Sequence, residues 1–192
     1  MKSASHFLYN QHQVPWNTTL WNWIWILPCP KKIQFLLWKA MHNRLPTKTF
    51  LSHGRQHVDS HCPHCNSPET TLHILRDCPW AREVWSQSSG ILPLSFFHMP
   101  LQDWLRHNAT LDRAILPYQL PWRIYFPFTC WKLWFARNER IFKNQSQSQH
   151  SLLYSSVQAA IEYYFLASTT SQLPSRIPQL IRWYPPHPHI LN

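Results

Sequence analysis

Apolar positions in this chain recur mostly at helical spacing. Ile33, Leu36, Leu37, Ala40 and Met41 fall on one face, and Phe35 and Trp38 widen it; that recurrence predicts a helix. Pro30 suits the first helical position, and Leu45-Pro46 ends the run. The helix is apolar nearly all round, so burial or a covering partner is expected. Thr47 is placed to cap a second, short helix through about His53, with Gly54 to end it. Before these, Trp21, Trp23 and Trp25 alternate with Asn22 and Ile24, a pattern that fits a short strand or an aromatic plug.

Beyond the first helices, Ser67-Pro68-Glu69 reads as a helix start running to about Asp77. It offers a capping hydroxyl, Pro at the first position and a carboxylate in the first turn. Cys78-Pro79 opens another helix, with Trp80, Val84 and Trp85 as its apolar face. Residues 86–101 are loop-like, and 103–116 predict a short helix of mixed polarity. Residues 118–143 carry the strongest helical pattern of the second half, with Trp131, Trp134, Phe135, Ile141 and Phe142 on one side. Pro121 and Pro127 predict a broken start there. A Ser/Gln linker over 144–150 leads to a last helix, marked by Leu153, Val157, Ala160, Ile161 and Tyr164, to about Ser168. Residues 1–20 read as an irregular lead-in, and the Pro-rich tail 171–192 as extended or disordered. The expected organisation is therefore 1–20 lead-in, 21–90 first domain, 91–170 helical connector, 171–192 tail, in a mainly α fold.

Composition narrows this picture. The chain holds 192 residues with 17 Pro, 12 Trp and only 2 Gly, which leaves little room for Gly-rich phosphate loops. The net charge is +10 from 18 basic and 8 acidic side chains. Every charge before Asp59 is basic: Lys2, Lys31, Lys32, Lys39, Arg44, Lys48 and Arg55. A basic block mixed with aromatics suits contact with phosphate backbones. The 5 cysteines cannot all pair within one chain. The start lacks a signal-peptide pattern and no apolar run reaches the length of a membrane span, so an intracellular location, the nucleus included, and no membrane partner are expected.

The chemistry concentrates in one stretch, Cys62-Pro63-His64-Cys65, then His73, then Cys78. Written as C-x2-C-x7-H-x4-C, it offers three thiols and an imidazole, the donor set of a structural Zn²⁺ site. A reducing compartment favours metal over disulfide for these thiols. Retroviral-type knuckles share the H-x4-C ending but have a shorter middle loop. His57, His61 and His64 crowd the region, and replacement of a ligand by His61 or His64 stays open. Cys29 and Cys130 have no partners at ligand spacing and are expected to be buried apolar side chains.

These residues resemble a known family. Lys31-Lys32-Ile33, Phe35, Trp38 and Leu45-Pro46-Thr47 precede Cys62-Pro63-x-Cys65, Glu69-Thr70, His73 and Cys78-Pro79, with Ala81 and Val84-Trp85 after them. In that order they resemble the zinc-binding domain of plant non-LTR (LINE-type) retrotransposon reverse transcriptases, over roughly residues 20–90. Trp131, Trp134, Arg137-Asn138 and Ile141-Phe142 are similar to the segment that follows this domain. Trp183-Tyr184-Pro185-Pro186 and Ile190-Leu191-Asn192 look like the approach to an RNase H domain. The resemblance implies zinc as cofactor and the reverse transcriptase or RNase H domains of a related polyprotein as partners.

No Tyr-x-Asp-Asp motif and no RNase H carboxylate set is present, whereas two-metal phosphoryl transfer needs converging carboxylates. The expectation is a small helical domain built around one structural zinc site, not an enzyme. It would make weak, salt-dependent contact with single-stranded RNA or DNA through Lys31, Lys32, Lys39, Arg44, Lys48 and Arg55. A scaffold that meets only protein partners, or a remnant of a decayed element, are the alternatives. Trp21, Trp23, Trp25 and Trp38 are available for base stacking, with core burial the more expected role.

Overall fold

The computed structural model describes residues 21–53, 59–88, 92–115 and 119–170. The expectations for the lead-in 1–20, for Gly54 and for the tail 171–192 lie outside them. The fold is mainly α. In chain order come α1 (Asn22–Trp25), α2 (Lys31–Met41), α3 (Lys48–Ser52), a π-helical turn (His73–Asp77), α4 (Pro79–Ser88), a 3₁₀ turn (Leu94–Phe97), α5 (Leu101–Thr110), α6 (Trp122–Lys143) and α7 (Gln149–Thr170). Between α5 and α6, β1 (Ala114–Ile115) and β2 (Leu120–Pro121) form an antiparallel ribbon with Ala114 opposite Pro121 and Ile115 opposite Leu120. No helix among the described residues is long and apolar enough to cross a membrane.

Helix α6 is the centre of the packing. It meets α7, α5, α2 and the π-helical turn, while α4 packs on α7 and α1 on α2. Its first turns are largely apolar: Trp122, Ile124, Tyr125, Phe126, Pro127 and Phe128 are all buried, and Arg123 is exposed. The expected break at Pro127 does not occur, and α6 runs unbroken from Trp122 to Lys143. A proline there removes one intrahelical bond near the start, and the aromatic burial around it outweighs that loss. The helix ends at Asn144 in the left-handed region (φ 54°), where its N–H donates to the Arg140 and Glu139 carbonyls. Asn is one of the few residues that adopts this conformation readily.

One buried cluster runs from Trp23 to Ala160, so both halves of the chain share a core. At its middle Trp85 lies among Phe96, Trp104, Trp122 and Phe126, with ring centroids 5.4 to 6.0 Å away. The indole N–H of Trp85 donates to the Leu75 carbonyl at 2.7 Å, which ties α4 back to the π-helical turn. Arg76, although charged, is buried: it pairs with Asp77 at 2.7 Å and donates to the Phe96 and Met99 carbonyls.

Three local expectations change. Trp21–Trp25 form a helical turn, not a strand: Trp23 and Ile24 are buried, Trp21 packs against the core half-buried, and Trp25 is exposed. Ser67-Pro68-Glu69 does not start a helix. The Cys62 N–H takes the Ser67 carbonyl at 2.8 Å and Pro68 forms a bridge with His61, so helical structure begins after Thr70. The short helix read over 103–116 occupies Leu101–Thr110 and gives way to the ribbon.

Candidate metal centre

The metal-ligand stretch is built from a hairpin and a π-helical turn. In the hairpin, Asn66 sits in the left-handed region (φ 57°) and donates to the Cys62 carbonyl at 2.9 Å. That closes the Cys62–Cys65 turn with both sulfurs on one side, and Glu69 N–H donating to the Ser60 carbonyl at 2.8 Å extends it. Thr70 Oγ1 accepts from the His73 N–H at 3.1 Å as the chain enters the helical turn. The Cys78 N–H then reaches back to the His73 carbonyl at 2.8 Å, a bond spanning five residues. A wider turn of this kind brings residues i and i+5 to the same side, which an α-helix would not do. It is what makes H-x4-C a workable ligand spacing here.

The outcome is one cluster. The donor atoms of Cys62, Cys65, His73 and Cys78 all lie within 4.8 Å of one another. Cys65 Sγ is 3.3 Å from His73 Nε2, and the Cys62 and Cys78 sulfurs are 4.0 Å apart. A tetrahedral ion with metal–sulfur bonds of about 2.3 Å needs ligand atoms roughly 3.8 Å apart, so the separations fit. Among the described residues no other group of three or more His, Cys, Asp or Glu donors comes together.

The electrostatics favour a cation. The Cys62 thiol is held well below its ordinary value, chiefly by the hydrogen bond it shares with Cys78, with His73 and the backbone N–H groups of His64 and Cys65 adding to it. Cys78 moves the opposite way, through the same shared hydrogen bond and through burial. The pair therefore favours carrying one thiolate. A thiolate already held in a cluster of soft donors is a ready metal ligand.

Two of the flanking histidines have other partners, and His57 lies outside the described residues. His61 Nδ1 lies 2.9 Å from Asp59 Oδ1. His64 stacks on Trp80 with ring centroids 5.5 Å apart and meets the Arg140 guanidinium at 2.6 Å. Burial and then Arg140 hold its imidazole below its ordinary value, hence neutral. Cys29 and Cys130 are buried, as expected, and burial pushes the Cys29 thiol up to about 12 and the Cys130 thiol well above its ordinary value.

Residues 1–85 match the family described as zinc-binding in reverse transcriptase. Over these residues the chain is similar to a zinc-binding domain of the reverse-transcriptase type. Its Cys62, Cys65, His73 and Cys78 cluster lies wholly within that match. An Arabidopsis thaliana protein titled a ribonuclease H protein is 28% identical over 131 residues, which is 65% of this chain. The chain spans 20% of that relative's length. No solved structure gives a significant match.

Around the domain's cluster the structure shows what sequence reading missed. Glu69 is fully buried, and its carboxylate takes both Nε and Nη2 of Arg137, 68 residues along the chain, together with the Lys48 N–H at 2.8 Å. Arg140 reaches His64 from the same helix. Two arginines of α6 thus hold the ligand hairpin from outside. The i, i+3 spacing of Arg137 and Arg140 is the only hint of a shared face, and it names no partner.

The basic candidates divide. Lys31, Lys32, Lys39 and Arg44 are exposed, with Lys32 Nζ over the Trp131 ring at 5.3 Å, Lys39 over Phe35 at 6.0 Å and Arg44 over Phe50 at 5.9 Å. Lys48 is engaged by Asp59 at 3.0 Å. Arg55 lies outside the described residues.

Proposed function

We propose that this protein is a non-catalytic, zinc-organised module that contacts the phosphate backbone of RNA or DNA, as an accessory part of a retrotransposon-derived protein. Cys62, Cys65, His73 and Cys78 would hold the ion, the other donors around it being spoken for. When bound, zinc supplies a fixed tetrahedral centre and neutralises thiolate charge, and in small domains that binding free energy is folding free energy. The protein's own residues do the rest. The Asn66 turn and the π-helical turn present the donors, and Arg137 and Arg140 tie the hairpin to α6. Basic side chains of α2 then meet phosphate in a fixed frame.

The observation that carries this reading is the convergence of four ligand atoms within 4.8 Å inside the stretch matching the zinc-binding family. The non-catalytic part is supported by the acids. Asp59, Glu69, Asp77, Asp112 and Glu139 each pair with a basic side chain, and Glu83 and Glu162 take glutamine amides. Asp103, in the first turn of α5, is the remaining acid, so no carboxylate pair stands ready for two-metal chemistry. Contact with phosphate is supported by the acid-free run up to Asp59 and by the exposed cations of α2.

Elemental analysis of the purified chain should give one zinc, and Cys62→Ala or Cys78→Ala should lose it. Zinc retained at one equivalent in both variants would reject the ligand set. In an electrophoretic titration at low salt the zinc-loaded chain should shift RNA or DNA weakly and release it as salt rises. No shift at low salt would leave a scaffold for protein partners as the better reading.

A further inference from the structure

Helix α2 divides its surface in two. Ile33, Leu36, Leu37, Ala40 and Met41 are buried against the core. Across the helix, Lys31, Lys32, Phe35, Trp38, Lys39 and His42 fall within an arc of about 120° at 3.6 residues per turn. None of these is buried, and Phe35 keeps 52% of its surface exposed. Trp25, which meets it, is exposed as well, so two large rings stand side by side at the surface.

The rings on this face are continuous. Trp25 meets Phe35 at a centroid distance of 6.0 Å, Phe35 meets Trp38 at 5.8 Å, Trp38 meets His42 at 4.8 Å and His42 meets Trp21 at 4.7 Å. The ladder joins α1 to both ends of α2 and runs between cations. Not one carboxylate occurs on residues 21–53, and the nearest in sequence, Asp59, is taken by Lys48 and His61. Exposed rings beside lysines, Trp25 and Phe35 among them, match a ligand that alternates flat apolar groups with negative charge. A single strand has that chemistry, because its bases are free to stack while its phosphates meet the cations. A duplex keeps its bases stacked on one another and offers only phosphates to such a face.

We infer that the ring ladder of α1 and α2 is a stacking platform for single-stranded nucleic acid, with Phe35 and Trp25 taking bases and Lys31, Lys39 and Arg44 taking phosphates. This rests on the phosphate-contact reading above and adds the strandedness of the ligand and the residues that read it. Trp23, in the same aromatic run, is buried and takes no part.

Fluorescence anisotropy on the zinc-loaded full chain tests it, with labelled oligo(U) and oligo(dT) of about twelve nucleotides and a blunt duplex of the same length. The single strands should bind tighter than the duplex. Phe35→Leu, which stays apolar but loses the ring, should weaken single-strand binding roughly tenfold, and Phe35→Tyr should restore it. The slope of log affinity against log salt should not move in either variant. Lys39→Gln should instead lower that slope by about 0.7. Zinc content and far-UV circular dichroism should match the parent throughout, since Phe35 and Lys39 are exposed. The ratio between oligo(U) and oligo(dT) says whether RNA or DNA is the preferred source. If Phe35→Leu and Trp25→Ala bind as the parent does while Lys39→Gln weakens binding, the platform is overturned and phosphate contact stands. Duplex binding equal to single-strand binding also overturns the platform, and no binding to any probe overturns both readings.

Discussion

Replacing Arg137 by Met tests the idea that α6 holds the metal hairpin through one buried ion pair. Glu69 is 0% exposed, and its two carboxylate oxygens are occupied by Arg137 Nε at 3.3 Å, by Arg137 Nη2 and by the Lys48 N–H at 2.8 Å. Met keeps the aliphatic bulk of the arginine stem but leaves the carboxylate with the single backbone donor. Removing one member of a buried pair costs about 3–5 kcal/mol, because the other charge stays behind without compensation. For a chain of this size that corresponds to a melting temperature lowered by roughly 10 °C. Thermal and urea unfolding at one fixed, saturating zinc concentration would read it, since zinc itself shifts the apparent stability. The double variant Glu69→Gln/Arg137→Met removes the charge and keeps an acceptor for Lys48 N–H. It should recover at least about 2 kcal/mol relative to the sum of the single changes. A cost under about 1 kcal/mol for Arg137→Met, or additive single changes, would refute the reasoning.

Two further outcomes follow from the thiols and the buried tyrosine. Thiol labelling of the zinc-loaded chain should be slow at every cysteine. After chelation Cys62, Cys65 and Cys78 should react while Cys29 and Cys130 stay protected in the aromatic core, and five thiols reacting together would show that the core does not stand without the ion. Burial raises Cys29 from 9.0 to about 12 and Tyr125 from 10.0 to about 12. Each raised group contributes stability in full below its unfolded value and loses it as pH climbs to the folded one. Stability should therefore fall from about pH 9 upward, by at most about 1.4 kcal/mol per pH unit for each group. Cys29→Ala should make that decline shallower in urea titrations across the range, and an unchanged slope would rule Cys29 out as a cause.

The sequence by itself determined the local elements and which four side chains are candidate ligands. The helical stripe of Ile33 to Met41, the Thr47 cap and the Cys78-Pro79 start all rest on interactions within a few residues, and each forms: Thr47 Oγ1, for example, accepts the Phe50 N–H at 3.1 Å. The cysteine and histidine spacing was legible for the same reason, since a tetrahedral site made from one short stretch is nearly a local object. The false helix start at Ser67 shows where locality fails. Its cap, proline and acid are all present, but Ser67 is committed to Cys62 and Glu69 to Arg137. A carboxylate that looks like a helix-dipole partner is claimed by a guanidinium from the far half of the chain, because burial makes that pairing far stronger than a solvated first-turn charge.

Tertiary structure alone decided the rest. It carried α6 through Pro127 by surrounding it with buried rings, and it widened the His73–Cys78 turn so that H-x4-C could converge. It also sorted the tryptophans, which composition leaves equivalent. Trp85, Trp104 and Trp122 became the core, Trp21 and Trp38 lean on it half-buried, and Trp25 remained exposed. Periodicity cannot make that choice on a helix apolar nearly all round. Which side is buried depends on where the neighbouring helices stand, and that is settled only when α6 packs against them.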